Sequence, residues 1–172
     1  MRMFFALSLF ITSFTVQAQW DVIQYADGEF SNHDLFFQNA DTGFVINHNE
    51  DGSYVLRTQN GGAAWDSLWF PGHQFRTIYM TSRDTGYIAS FYEISASVMR
   101  SIDGGNSWQM IATNLVTAVS VPYAISFFNN NSGVITLSGW AAKTENAGVD
   151  WEFLEGFPGT RDSDVSDANL WV

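Results

Sequence analysis

Three tryptophans, Trp65, Trp108 and Trp151, stand 43 residues apart, and each closes a segment of one design. The segments read TQNGGAAW (58–65), SIDGGNSW (101–108) and TENAGVDW (144–151). A basic residue precedes each: Arg57, Arg100 and Lys143. A second marker recurs upstream, DTGFVI at 41–46, DTGYIA at 84–89 and NSGVIT at 131–136, with separations of 43 and 47 residues. Units this short cannot each bury an apolar face alone. They must stack, so that each unit covers the next.

Each unit reads as strand, Asp/Asn-x-Gly turn, strand, turn, strand, tight turn and a Trp-led strand. In the first unit the strands are expected at roughly 35–39, 44–48, 54–58 and 64–69. Aromatic content is high, at 16%, prolines number 3, and glycines cluster at turns, as many short strands require. Four antiparallel strands in a repeat of about 40–45 residues is the period of a β-propeller blade. The expected fold is therefore an all-β propeller of four-stranded antiparallel blades, with about three blades plus flanking strands. The units fall at 34–70, 76–113 and 123–156, with the start of a fourth at 164–172 (DANLWV). Trp20-Asp21-Val22-Ile23 matches the Trp-led fourth strand with no blade before it. A closed ring normally needs about 4–8 blades. The chain is expected to be a fragment of a larger propeller.

In SIDGGNSW every residue type has a structural task. Gly104 and Gly105 suit a tight turn with positive φ. The Asp103 carboxylate can accept backbone N–H groups just downstream, Ser101 and Ser107 can tie the two sides together, and Trp108 can cover the turn. The segment resembles the Asp-box, Ser/Thr-x-Asp-x-Gly-x-Ser/Thr-Trp, of BNR repeats. Ser101, Asp103, Gly105, Ser107 and Trp108 match at every fixed position. The other two copies are degenerate: Thr58, Asn60, Gly62 and Trp65 in one, Thr144, Asn146, Gly148 and Trp151 in the other. Asn60 and Asn146 replace the acid, and Ala64 and Asp150 replace the second hydroxyl. The whole pattern, with its Gly-aromatic second strand, most resembles the photosystem II assembly-factor-like repeats, within the wider group of sortilin- and sialidase-type propellers. The resemblance implies that the box is a peripheral structural element and that Asp103 is structural, not catalytic.

The N-terminus reads as a leader. Met1-Arg2-Met3 is a short positive region, Phe4 to Val16 is apolar, and Val16-Gln17-Ala18 fits a small-x-small cleavage site. Residues 1–18 are expected to be a signal peptide cleaved near Ala18-Gln19, leaving 19–172 as the propeller segment. The product is then secreted, periplasmic or at the cell surface, and a C-terminal sorting module often follows such repeats. No later run approaches the roughly 18 apolar residues of a membrane span. Cysteine is absent, so stability must come from packing. The formal net charge is −11, which argues against nucleic acid and anionic lipid as partners.

Catalytic candidates are sparse. The resemblance to sialidases would imply three carboxylate-gripping arginines, but Arg57 and Arg100 share one repeat position and read as structural. A glycoside hydrolase needs two carboxylates about 5–10 Å apart. The acids outside the repeat positions are Asp27, Glu29, Asp34, Glu50 and Glu93, and Glu93 is expected in the longest loop of unit two, FYEISASVM. Trp69, Tyr92 and Trp140 could stack on sugar rings or serve the core. His33, His48 and His73 lack metal-ligand spacing, and NHNEDG (47–52) reads as a turn, so no metal and no cofactor is expected. The sequence reading is an exported, non-enzymatic propeller scaffold presenting loops to an unknown protein or glycan. Its alternative is a secreted glycoside hydrolase, sialidase- or xyloglucanase-like, with catalytic residues partly outside this segment.

Overall fold

The computed structural model describes residues 31–113, 115 and 120–154. The proposed leader, Trp20–Ile23, Asp27, Glu29 and the start of a fourth unit lie outside them. Twelve strands form three four-stranded antiparallel sheets. The first sheet holds β1 (Ser31–Phe37), β2 (Gly43–His48), β3 (Gly52–Thr58) and β4 (Asp66–Pro71). The second holds β5 (His73–Met80), β6 (Gly86–Tyr92), β7 (Ser95–Ser101) and β8 (Gln109–Ala112). The third holds β9 (Pro122–Phe127), β10 (Gly133–Leu137), β11 (Trp140–Thr144) and β12 (Glu152–Phe153). Within each sheet the strands pair in sequence order, and β5 packs between β1 and β9. These are three blades set side by side, with β1, β5 and β9 as their inner strands.

Burial follows position in the stack. In β4 the pattern alternates exposed and half-buried, as on an outer strand with one wet face. In β6 the first five residues, GYIAS, are all buried, because the middle blade is covered on both faces. Two cores result. The first joins Phe44, Ile46 and Val55 of blade one to Phe75, Ile78, Met80, Ile88, Met99 and Trp108 of blade two. The second joins Tyr87, Ala89 and Val98 of blade two to Ile125, Phe127, Ile135 and Leu137 of blade three. The tryptophans precede their strands by one residue instead of opening them.

The segment around Glu93 corrects the expected loop. FYEISASVM is β6 running directly into β7 through a two-residue turn, Glu93-Ile94. Glu93 takes a φ of 54°, a conformation ordinarily left to glycine. The strong β propensity on either side favours continuous pairing from His73↔Tyr92 through Tyr92↔Ser95, and the turn absorbs the strain.

Candidate functional site

The two ends of the blades differ. At one end lie the Asp/Asn-x-Gly turns and the boxes, which are wired together. In all three blades the first glycine position of the box donates its N–H to the first residue of the marker. These bonds are Gly61 to Asp41 O at 2.9 Å, Gly104 to Asp84 O at 2.8 Å and Ala147 to Asn131 O at 2.9 Å. The marker turns are closed by a short polar residue two positions upstream, which the sequence reading passed over. Asn39, Ser82 and Asn129 each accept two backbone N–H groups. Their recurrence at one repeat position was the available signal.

Inside box two, Ser101 Oγ donates to Asp103 Oδ1 at 2.8 Å and accepts the Gly105 N–H at 2.8 Å. Asp103 Oδ1 accepts the Ser107 N–H at 2.9 Å, and Oδ2 accepts the Ser107 hydroxyl at 2.6 Å. The Ser107 hydroxyl and amide hold the Asp103 carboxyl down, at about 2. The degenerate boxes keep the same core. Thr58 and Asn60 accept the N–H groups of Gly62 and Ala64, and Thr144 and Asn146 those of Gly148 and Asp150. In box three the polarity of the last contact is reversed: Asn146 Nδ2 donates to Asp150 Oδ2 at 2.9 Å. Exchanging acid and hydroxyl for amide and acid therefore conserves a bond. Trp65 and Trp151 donate Nε1–H to Gly62 O and Gly148 O. Trp108 instead sits deep in the first core with its Nε1 unpartnered.

The box end also joins the blades. Arg57 Nη1 donates to Gly104 O at 3.0 Å, and Arg100 Nη1 to Ala147 O at 3.4 Å, each reaching the next blade's box. Lys143, at the same repeat position, pairs with Glu152 at 3.2 Å and Glu145 at 3.7 Å. A polar groove of about 540 Å³ between blades one and two is lined there by Arg57, Arg83, Asp41, Asp84 and Asp103.

At the opposite end the inner strands depart from regular pairing. Each carries a one-residue bulge: His33 in β1, Arg76 in β5 and Tyr123 in β9. The three are separated by 43 and 47 residues, the spacing of the markers, but share no chemistry. A bulge bends the strand and re-aims one side chain, and it is common beside binding sites. The His33 ring stacks on His48 of β2, centroids 4.1 Å apart and 13° from parallel. Covering of the ring faces pushes both imidazoles below the ordinary 6.5, His33 to about 4. The charges of His48 and Arg76 add to this for His33, and that of Arg76 for His48. Asp34 pulls His33 weakly the other way, and the Asn49 backbone does so for His48. Arg76 Nη2 donates to Gln74 Oε1 at 3.1 Å. Arg76 Nε is buried without hydrogen-bond geometry to any neighbour, and the buried His48 ring has only the Asn49 backbone to engage it.

The remaining candidates separate. Asp34 spends its carboxylate on the N–H groups of Leu35 and, across the blade boundary, Ile78 at 2.9 Å. Glu50 and Glu93 lie in corresponding turns of different blades. His73 is buried, stacked on Tyr92 at 4.3 Å, with Nδ1 3.2 Å from Ser90 Oγ, and burial lowers its pKa. Ser90 is fully buried, which fits a structural pair. Trp69 and Trp140 are 40% and 48% exposed, leaning on Tyr54 and Phe153. Among the described residues no group of three His, Asp or Glu is placed to hold a metal.

The repeat register, the box geometry and the blade stacking agree with one known family. Its model, described as photosynthesis system II assembly factor YCF48, matches residues 12–157. The chain belongs to this family. No curated protein matches it. Among solved structures it is similar to YCF48 bound to D1 peptide, at 18% identity and a TM-score of 0.60, over 71% of this chain and 39% of that one. It is similar to YCF48 from Cyanidioschyzon merolae at 23% identity and 0.60, over 76% and 38%. The GH74 enzyme of Niastella koreensis shares the fold at 12% identity and 0.60, over 73% and 22%. The chain thus spans about two-fifths of the YCF48 chains it matches, and the shared fold is the BNR-type propeller.

Proposed function

We propose that the chain is an exported, non-enzymatic propeller scaffold that binds a segment of a partner protein at the end of the blades where the inner strands bulge. The carrying observation is the set His33, Arg76 and Tyr123: one backbone device repeated in three blades, each time aiming a different side chain. Repetition of the bulge serves the fold, whereas variation of the residue serves recognition. A family structure of YCF48 with D1 peptide supports a polypeptide as the ligand class. Export rests on the leader read at residues 1–18. The glycan and hydrolase readings draw on the exposed Trp69 and Trp140 and on the GH74 likeness, but Glu50 and Glu93 lie in different blades and Asp34 is bonded to backbone. Incubating the chain with a peptide array, beside a glycan array and a hydrolysis assay, tests the reading. Selective peptide retention is expected. Turnover that disappears on changing Glu50 or Glu93 would replace the scaffold with an enzyme.

A further inference from the structure

The following rests on the partner-binding reading of the same end. We propose that His33, His48 and Arg76 form a site for a single carboxylate of the partner polypeptide. The two blades bring the groups together: β1 and β2 supply the stacked rings, and β5, which packs on both strands and is tied to β1 by the Ile78 N–H to Asp34 Oδ2 bond at 2.9 Å, carries Arg76 at its bulge beside them. Arg76 Nε is buried there without a partner, and the buried His48 ring has only the Asn49 backbone to engage it. Elsewhere in the described residues such atoms occur at Arg57, Trp108 and Thr136. An unpartnered buried polar group is costly, and the Arg76 Nε donor marks a hydrogen-bonding set that the chain itself leaves incomplete. His33, the exposed member, stacks its ring on that of His48.

The charge decides the ligand. Arg76 contributes one positive charge, and both imidazoles are neutral near pH 7. The chain as a whole is at −11, and Asp34 stands beside His33. One guanidinium balances one carboxylate and offers it a matching fork of N–H donors. A phosphate dianion would bring a second charge that nothing here offsets. Neutral imidazole N–H groups then supply further donors without adding charge.

The test follows the ring signals of His33 and His48 by NMR in the full chain. Sodium acetate is titrated in at constant ionic strength, with inorganic phosphate as a parallel arm. Acetate is expected to shift both rings saturably. Arg76→Gln should weaken apparent affinity at least tenfold, and Arg76→Lys, which keeps the charge and loses the fork, severalfold. The Lys variant and the wild-type titration keep the test decisive if the Gln variant misfolds. Shifts that grow without saturation, that match those from sodium chloride, or that persist in Arg76→Gln overturn the site. Phosphate binding more tightly than acetate overturns the carboxylate assignment. Array peptides whose retention ignores Arg76→Gln would remove this site and leave the scaffold. Saturable acetate binding with no retained peptide would do the reverse.

Discussion

Arg57 donates a hydrogen bond from Nη1 to the carbonyl oxygen of Gly104, 47 residues away, and so latches the third strand of one blade to the box of the next. Arg100 repeats the contact with Ala147. The Arg57 side chain is only 12% exposed, so its guanidinium is largely removed from water and depends on such partners. Arg57→Met is expected to lower unfolding free energy by about 1.5–3 kcal/mol, the range for hydrogen bonds to charged groups. Arg57→Lys should lose less. Urea unfolding followed by tryptophan fluorescence checks this, and a Met variant as stable as the parent would remove the latch.

Gly105 and Gly139 separate two glycine effects. Both have positive φ, 80° and 85°. A Cβ at Gly105 would lie 2.5 Å from the Phe44 ring of the preceding blade, while one at Gly139 meets nothing within 4 Å. Gly139→Ala should cost about 1 kcal/mol for the left-handed backbone. Gly105→Ala should cost about 1–3 kcal/mol more, from overpacking at the blade boundary. Equal melting temperatures in the two variants would show that Phe44 yields freely.

Asp103 tests the box. Asp103→Ala is expected to lower stability by about 1–2 kcal/mol through unpaired turn amides, leaving ligand binding at the far end unchanged. Asp103→Asn should cost far less, because Asn60 and Asn146 hold the same turns. The folded-state carboxyl titrates at about 2 against an ordinary 3.8, so its contribution is full above pH 4 and is lost as pH falls towards 2. Thermal melts of the Asn variant between pH 4 and 2 should show a shallower acid slope than the parent.

His33 predicts a second pH window with its own sign. Its ring is held at about 4, below the ordinary 6.5, by burial and by the neighbouring His48 and Arg76, with Asp34 opposing. Between those values the unfolded chain takes up a proton that the folded chain refuses. Stability is therefore full above pH 6.5, falls as pH drops towards 4, and levels off below. His48 and His73 shift in the same direction and add to the loss. His33→Gln should reduce the fall in melting temperature between pH 7 and 4.5. An identical fall in both proteins would place the proton uptake elsewhere.

The repeat of Trp65, Trp108 and Trp151, the paired markers and the glycine-rich boxes made the all-β propeller legible without coordinates. Turns and strands are written in local chemistry: positive-φ glycines, side chains that cap backbone amides, and alternating apolar residues. The exchange at Asn146 and Asp150 also stays within eight residues, and a reader of turns could have foreseen it. What the chain could not display is contact between units. Arg57 and Arg100 were visible as repeated cations, but their carbonyl partners lie 47 residues on. His33 and His48 looked isolated because β1 must pair with β2 before their rings stack, and Arg76 because its blade must then pack on theirs. The bulges that single out His33, Arg76 and Tyr123 depend on strand register, which is set by pairing across the sheet and leaves no mark on the bulged residue itself. Local conformational preference thus determined the blade, and the juxtaposition of blades alone decided the latch and the site.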